Sequence, residues 1–179
     1  MDTLTIIEKY YKKDSDLYNI LVGHSMDVMR KSLEIATNHP ELDIDIEFLC
    51  QAAMLHDIGI NMTYAPGIEC FGVMPYLCHG YLGREILDNE NLPKHALVCE
   101  RHTGVGLSAE DITKLSLPLP VRDMIPVSIE EEIICFADCF FSKTRIGEEK
   151  SLDKIRREIA QYTHKDAVAQ FNLWCEKFL

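Results

Sequence analysis

The sequence predicts an all-α fold, on three observations. Apolar residues recur at helical spacing along most of the 179 residues, cap residues stand where those stripes begin, and no segment alternates apolar and polar residues between turns as a strand would. From Met1 to about Lys13, Leu4, Ile6, Ile7 and Tyr10 form the first stripe. Asp14 and Ser15 offer caps for a second helix, where Leu21, His24, Val28, Leu33 and Ile35 share a stripe that ends near Asn38, His39 and Pro40. Asp45 is placed to cap IEFLCQAAMLHDIG, an apolar helix that Gly59 is placed to terminate, so His56 and Asp57 stand at a helix end.

Residues 61–75 hold Pro66, Gly67, Gly72 and Pro75 without a sustained period and read as a loop able to cover a site. Helices are expected over about 76–88, with His79 in the first turn, and over 92–101, delivering His102 at the end. Residues 108–126 read as an irregular connection with room for one short helix. Ser128 and Glu131 form a capping-box pattern that opens EEEIICFADCFFSK and its Asp138, and a last helix is expected from about 151 to 178.

With 47% hydrophobic residues, the chain can close one core, and a single domain over residues 1–179 is expected. A formal charge of −11 disfavours a broad surface for nucleic-acid backbone, so no duplex nucleic acid is expected as a partner. Anionic substrates would need local cations. No apolar run approaches the roughly 20 residues of a membrane span. The seven cysteines lack paired CxxC spacing and read as free, buried thiols, which with the absence of a signal peptide suggests a reducing cytoplasm. Cys135 and Cys139, four residues apart around Asp138, read as core packing rather than metal ligands, and Glu130, Glu131 and Glu132 as a helix start that suits the dipole. His39, His95 and His164 are expected in water.

The order His24, His56-Asp57, His79, His102, Asp138 places ionisable groups in or beside apolar helices, where each needs a reason to be. Metal coordination supplies one, because imidazole and carboxylate suit Zn, Mn and Fe and a carboxylate can bridge two ions. Through MLHDIG, the upstream histidine of GHSMDV and the late FADCF, most of the chain resembles the HD superfamily of metal-dependent phosphohydrolases, in its HDIG branch. The resemblance implies an HD helical bundle in which His24, His56, Asp57 and Asp138 hold a first divalent ion, with His79 and His102 as ligands of a second (Fe, Mn or Zn, with Mg as a further candidate). The implied activity is hydrolysis of a phosphate ester or anhydride in a nucleotide or other small phosphorylated metabolite by metal-activated water, which Asp57 would orient or deprotonate.

Arg84, Thr103, Lys143 and Arg145 are the candidate substrate contacts, Arg145 by likeness to a basic position in the dinucleoside tetraphosphate hydrolases. The chain reads HDIGI, with Ile60 where many relatives carry a phosphate-binding lysine, and lacks a GYP motif, which disfavours cyclic dinucleotides. Two other readings stand beside hydrolysis: a dinuclear-iron oxygenase, told apart by redox-active iron, and a non-catalytic nucleotide-binding regulatory domain, told apart by binding without turnover. The apolar last helix, with Phe171, Trp174 and Phe178, suits either a core or a homodimer contact.

Overall fold

Side-chain caps set most of the helix starts. Asp2, Ser15, Asp45, Ser108 and Ser128 each accept a hydrogen bond from a backbone amide of the first turn that follows. They open α1 (Thr3–Tyr10), α2 (Asp16–Asn38), α3 (Ile46–Leu55), α6 (Ala109–Lys114) and α7 (Ile129–Cys139). Between α3 and α6 run α4 (His79–Asn89) and α5 (Pro93–Arg101), and α8 (Leu152–Tyr162) and α9 (Ala167–Phe178) complete the order. The computed structural model describes residues 1–162 and 166–179, Tyr162 by its backbone alone. The expected last helix is occupied by α8 and α9, and His164 lies outside the described residues. Among the described residues, no helix is long and apolar enough to cross a membrane.

The fold is mostly helical, but not all-α. Residues 63–75 form a small mixed sheet of β1 (Thr63–Ala65), β2 (Cys70–Phe71) and β3 (Met74–Pro75) in the order β2-β1-β3, with β1 antiparallel to β2 and parallel to β3. Strands of two or three residues are too short to display a period, so this segment looked like a loop. At Ser108 a full capping box with Asp111 begins the short α6. At Ser128 only half of the expected box forms, since the Glu131 carboxylate accepts from the Val127 amide instead.

Among the described residues, beside a small cluster of Leu107, Ile112 and Met124, two large hydrophobic clusters fill most of the interior. One joins Val28, Ala52, Ala53, Val98 and Val105 to the rings of Phe136, Phe140, Phe171, Trp174 and Phe178. Phe171 is 0% exposed and Trp174 and Phe178 are 2% exposed, so the last helix spends its rings on the core. The second cluster gathers Ile7, Tyr11, Leu21, Leu55, Ile58 and Cys99. His95 is buried and packs edge-on against Phe48, against the expectation of a solvated residue, while Leu33 of the α2 stripe is exposed. All seven cysteines are free, four of them buried and Cys50, Cys139 and Cys175 partly so.

Gly59 does not end α3 through a left-handed turn, because its φ is −86°. Its hydrogen is demanded by a close approach: a Cβ there would lie 2.2 Å from the His79 carbonyl oxygen and 2.4 Å from the Gly83 amide nitrogen. The turn after α3 thereby lies directly on α4. Gly59→Ala must push these backbones apart, and a loss of about 2 kcal/mol or more is expected, measured as a lowered midpoint in urea unfolding.

Candidate functional site

The turn that carries His56 and Asp57 is held from two sides, by Tyr11 and Cys99. The Tyr11 hydroxyl donates to the Ile58 carbonyl at 2.6 Å and accepts from the Asn61 amide at 3.1 Å, and the Cys99 thiol donates to the His56 carbonyl at 2.8 Å. On α2, His24 shares a face with Leu21 and Val28, which belong to different hydrophobic clusters, so its ring enters the seam between them. Asp138 reaches the same point from the last turn of α7.

Three histidines are oriented in one way. His56, His79 and His102 each direct Nδ1 at the backbone carbonyl three residues earlier, in Ala53, Tyr76 and Cys99, at 2.6, 2.7 and 2.7 Å. A carbonyl only accepts, so each Nδ1 carries a proton and each Nε2 faces the centre. His79 Nε2 and His102 Nε2 lie 3.0 Å apart, both 3.5 Å from Asp57 Oδ1. His24 Nε2 lies 3.2 Å from Asp57 Oδ2 and 2.9 Å from Asp138 Oδ1, and His56 Nε2 lies 3.1 Å from Asp57 Oδ2. Neither His24 Nε2, His56 Nε2 nor the Asp57 oxygens find a well-directed hydrogen bond, so these atoms converge on shared points rather than pairing off. Among the described residues, two groups have ligand atoms within 4.8 Å of one another and could hold a metal ion: His24, His56, Asp57 and Asp138, and Asp57, His79 and His102.

Electrostatics at the centre is settled by Asp57 and Lys143. Burial opposes ionisation of both aspartates, yet Lys143 and His56 hold the Asp57 carboxyl well below the usual range, and His24 and His56 do the same for Asp138. Burial also disfavours a charged Lys143, but Asp57, with its Oδ2 2.5 Å from the ammonium, holds it protonated. His56 is raised to about 10 by the two carboxylates against its burial, whereas burial takes His79 down to about 4. Lys143 is positioned by its loop, which the Lys150 amide closes onto the Phe140 carbonyl at 2.8 Å and the Gly147 amide pins to Asp27 of α2 at 2.7 Å.

A cavity of about 460 Å³ opens above this centre. Its polar lining includes His24, Asp138, Lys143 and Tyr76 together with the Lys150–Glu158 pair, and Ile68, Phe141, Ile155 and Ile159 are apolar walls. Residues 65–68 beside β1 supply one rim, so this segment does cover the site.

The structure brings together His24, His56, Asp57, His79, His102 and Asp138, and joins Lys143, expected as a substrate contact, to Asp57 as an ion pair. Arg84, Thr103 and Arg145 stand apart. Arg84 pairs with Glu100 and Asp88, Arg145 is exposed beside Glu148 at 3.7 Å, and Thr103 abuts α4 without lining the cavity. Tyr76 was missed. It stacks on His79 with ring centroids 4.8 Å apart, and the signal for it was its place three residues before a histidine that needs a carbonyl. Lys150 and the α8 residues were missed because nothing local ties them to the centre. Lys143→Met would remove the ammonium at Asp57 and leave the His56 imidazolium as its remaining charged partner. A loss of about 3–5 kcal/mol is expected, read by chemical denaturation.

No protein-family model and no solved structure matches the chain. Among curated proteins, it is 31% identical over 141 residues to a tRNA (cytidine(56)-2'-O)-methyltransferase of Picrophilus torridus, and 29% identical over 157 residues to the protein of the same name in Thermoplasma volcanium. The matches cover 78% and 87% of this chain but 37% and 40% of those proteins, so the chain spans about two fifths of their length. These relatives correct the functional reading of the sequence. Both are named as methyltransferases of tRNA, and neither as a phosphohydrolase. The assignment to the HD phosphohydrolases falls, together with the hydrolase activity, its oxygenase and regulatory alternatives, the pair of divalent ions as cofactor, and the partner set of a small phosphorylated substrate without duplex nucleic acid. The physical reason is that a few ligand-type residues at helix ends specify how a buried polar centre is built, and leave open which reaction the surrounding protein performs. A further relative, the uncharacterized protein MJ0778 of Methanocaldococcus jannaschii, is 30% identical over 145 residues, covering 79% of this chain and 78% of that protein, and the chain belongs to its family.

Proposed function

We propose that this chain serves the 2'-O-methylation of tRNA, as the counterpart of one section of the longer methyltransferases, and that its cavity receives a nucleoside of the RNA. The single observation that carries this reading is the relation to two proteins of that name along 78% and 87% of the chain. The cavity supports it: about 460 Å³ with mostly apolar walls and a few convergent polar groups suits a base with its ribose. In this reading, residues 1–179 act as one domain. Lys143, His24 and Asp138 form the polar end that a ribose would meet, while Arg84 and Thr103 support the packing of α4 and α5 and Arg145 stays at the surface.

Gly67 provides a test that spares the fold. It lines the cavity, and a Cβ added there meets nothing within 4 Å, so Gly67→Trp places a ring in the opening without a backbone clash. Binding of an unmodified tRNA transcript is measured by fluorescence anisotropy, and its 2'-O-methyl content by mass spectrometry after incubation with S-adenosylmethionine. The chain is expected to bind the tRNA, and Gly67→Trp to weaken binding at least tenfold at unchanged Tm. Methyl transfer by the chain alone would place the whole reaction here; binding without transfer would make it the RNA-holding section. If tRNA is neither bound nor methylated, the proposal fails.

A further inference from the structure

The small sheet presents a row of rings to solvent. Phe71 and Pro75 are the direct partners of Tyr64 in β2 and β3, so the three residues lie abreast across the order β2-β1-β3 and point to the same face. All three are exposed, Tyr64 by 62% and Phe71 by 66%, with Val73 at 91% and Met62 at 39% beside them. On the other face, Thr63 and Cys70 are 0% exposed. The sheet therefore buries its small residues and offers its rings, the reverse of what folding alone would favour.

We propose that Phe71, Tyr64 and Pro75 form a stacking platform for unpaired bases of an RNA strand, an inference that rests on the reading of the cavity as a nucleoside site. Continuity with that cavity argues for it. Ala65 and Tyr76, the chain neighbours of Tyr64 and Pro75, and Gly67 beyond β1 line the cavity, so its mouth borders the sheet; Ala65 shares the inner face with Cys70, and an RNA strand leaving the cavity reaches the rings over the sheet edge. Neighbouring strands stand about 4.8 Å apart, which sets the rings side by side as a continuous flat surface. Aromatic side chains on a sheet face are a recurrent means of binding unpaired bases, because every base has a π-face to offer.

Charge and area select this occupant over others. Within residues 62–75, Glu69 is the one charged residue, so the face neither grips phosphate nor adds to the repulsion that a net charge of −11 would exert. A second copy of the chain would need roughly 800 Å² from each partner. Tyr64, Phe71, Val73, Pro75 and Met62 together offer on the order of 500 Å², short of that share and enough for two or three bases.

The test uses the full chain, intact tRNA and a fluorescein-labelled single-stranded RNA heptamer in anisotropy titrations at several salt concentrations. The variant is Tyr64→Ser/Phe71→Ser, in which both side chains already face water, and an unchanged Tm confirms its fold. The expected result is a loss of affinity of about tenfold per ring, with a shallow dependence of the parent's binding on salt. Parent and variant binding RNA equally would overturn the platform and leave the cavity reading intact. A parent that binds neither RNA would overturn both. A parent that sediments as a dimer, and a variant that sediments as a monomer, would also overturn it, by making the row a contact between copies.

Discussion

Asp57 holds its carboxylate at 0% exposure, where an unpaired charge costs several kcal/mol, and the site is arranged around meeting that cost. Five side chains converge on it: His24, His56, His79, His102 and Lys143. They come from α2, the end of α3, the start of α4, the end of α5 and the loop after α7. The helices must therefore meet at one point, and they do so at the seam between the two hydrophobic clusters. Along α2 the seam falls between Leu21 and Val28, and along α5 the two clusters take adjacent residues, Val98 and Cys99.

Orientation of the donors costs the fold little, because it uses carbonyls at helix ends, which have a lone pair to spare even where, as at Tyr76, the His79 amide already donates to them. The last carbonyls of a helix lack intrahelical partners. His56 and His102, each just past a helix, take carbonyls of α3 and α5 for their Nδ1 protons, and His79 takes the carbonyl of Tyr76 in the short turn before α4. The buried ion pairs nearby hold the same elements. Arg101 donates to Glu131 at 3.0 Å, joining the end of α5 to the start of α7, and Glu100 accepts from both Arg84 and Arg122. Arg84 is a strut between α4 and α5 rather than a free cation.

What was legible in the sequence follows from the range of each constraint. His24, His56, Asp57, His79, His102 and Asp138 could be read because a polar residue in an apolar stripe, or at its end, is a local anomaly with a local signature. Lys143 could be guessed from its place just after α7. Arg84 and Arg145 could not be sorted from it, since whether an arginine faces a cavity or a neighbouring carboxylate depends on helices far apart in sequence. Gly59 was correctly singled out for the wrong reason: glycine at a helix end suggests a left-handed cap, while the real demand comes from the α4 backbone across the interface. The sheet was illegible because its strands are shorter than any period, although the exposed Tyr64 and Phe71 stand on opposite sides of the turn that joins them.

Reaction is a further step away from sequence than geometry, and the cavity shows why. The donor centre forms only its floor, and of the six His and Asp side chains only His24 and Asp138 line it. What may approach that floor is decided by Ile68, Phe141, Ile155 and Ile159, residues of no chemical distinction that come from three separate parts of the chain. The same floor under a different mouth would admit a different molecule. Net acidity adds a second filter, because a charge of −11 repels a polyanion everywhere except where a placed cation or a neutral face interrupts it. Lys143 and Lys150 are the cations that line the cavity, the latter paired with Glu158 at 3.0 Å, and residues 62–75 are the nearly neutral rim beside them. Under the proposed reading, an acidic protein would engage RNA here through bases rather than backbone, without the basic surface whose absence from the sequence argues against such a partner.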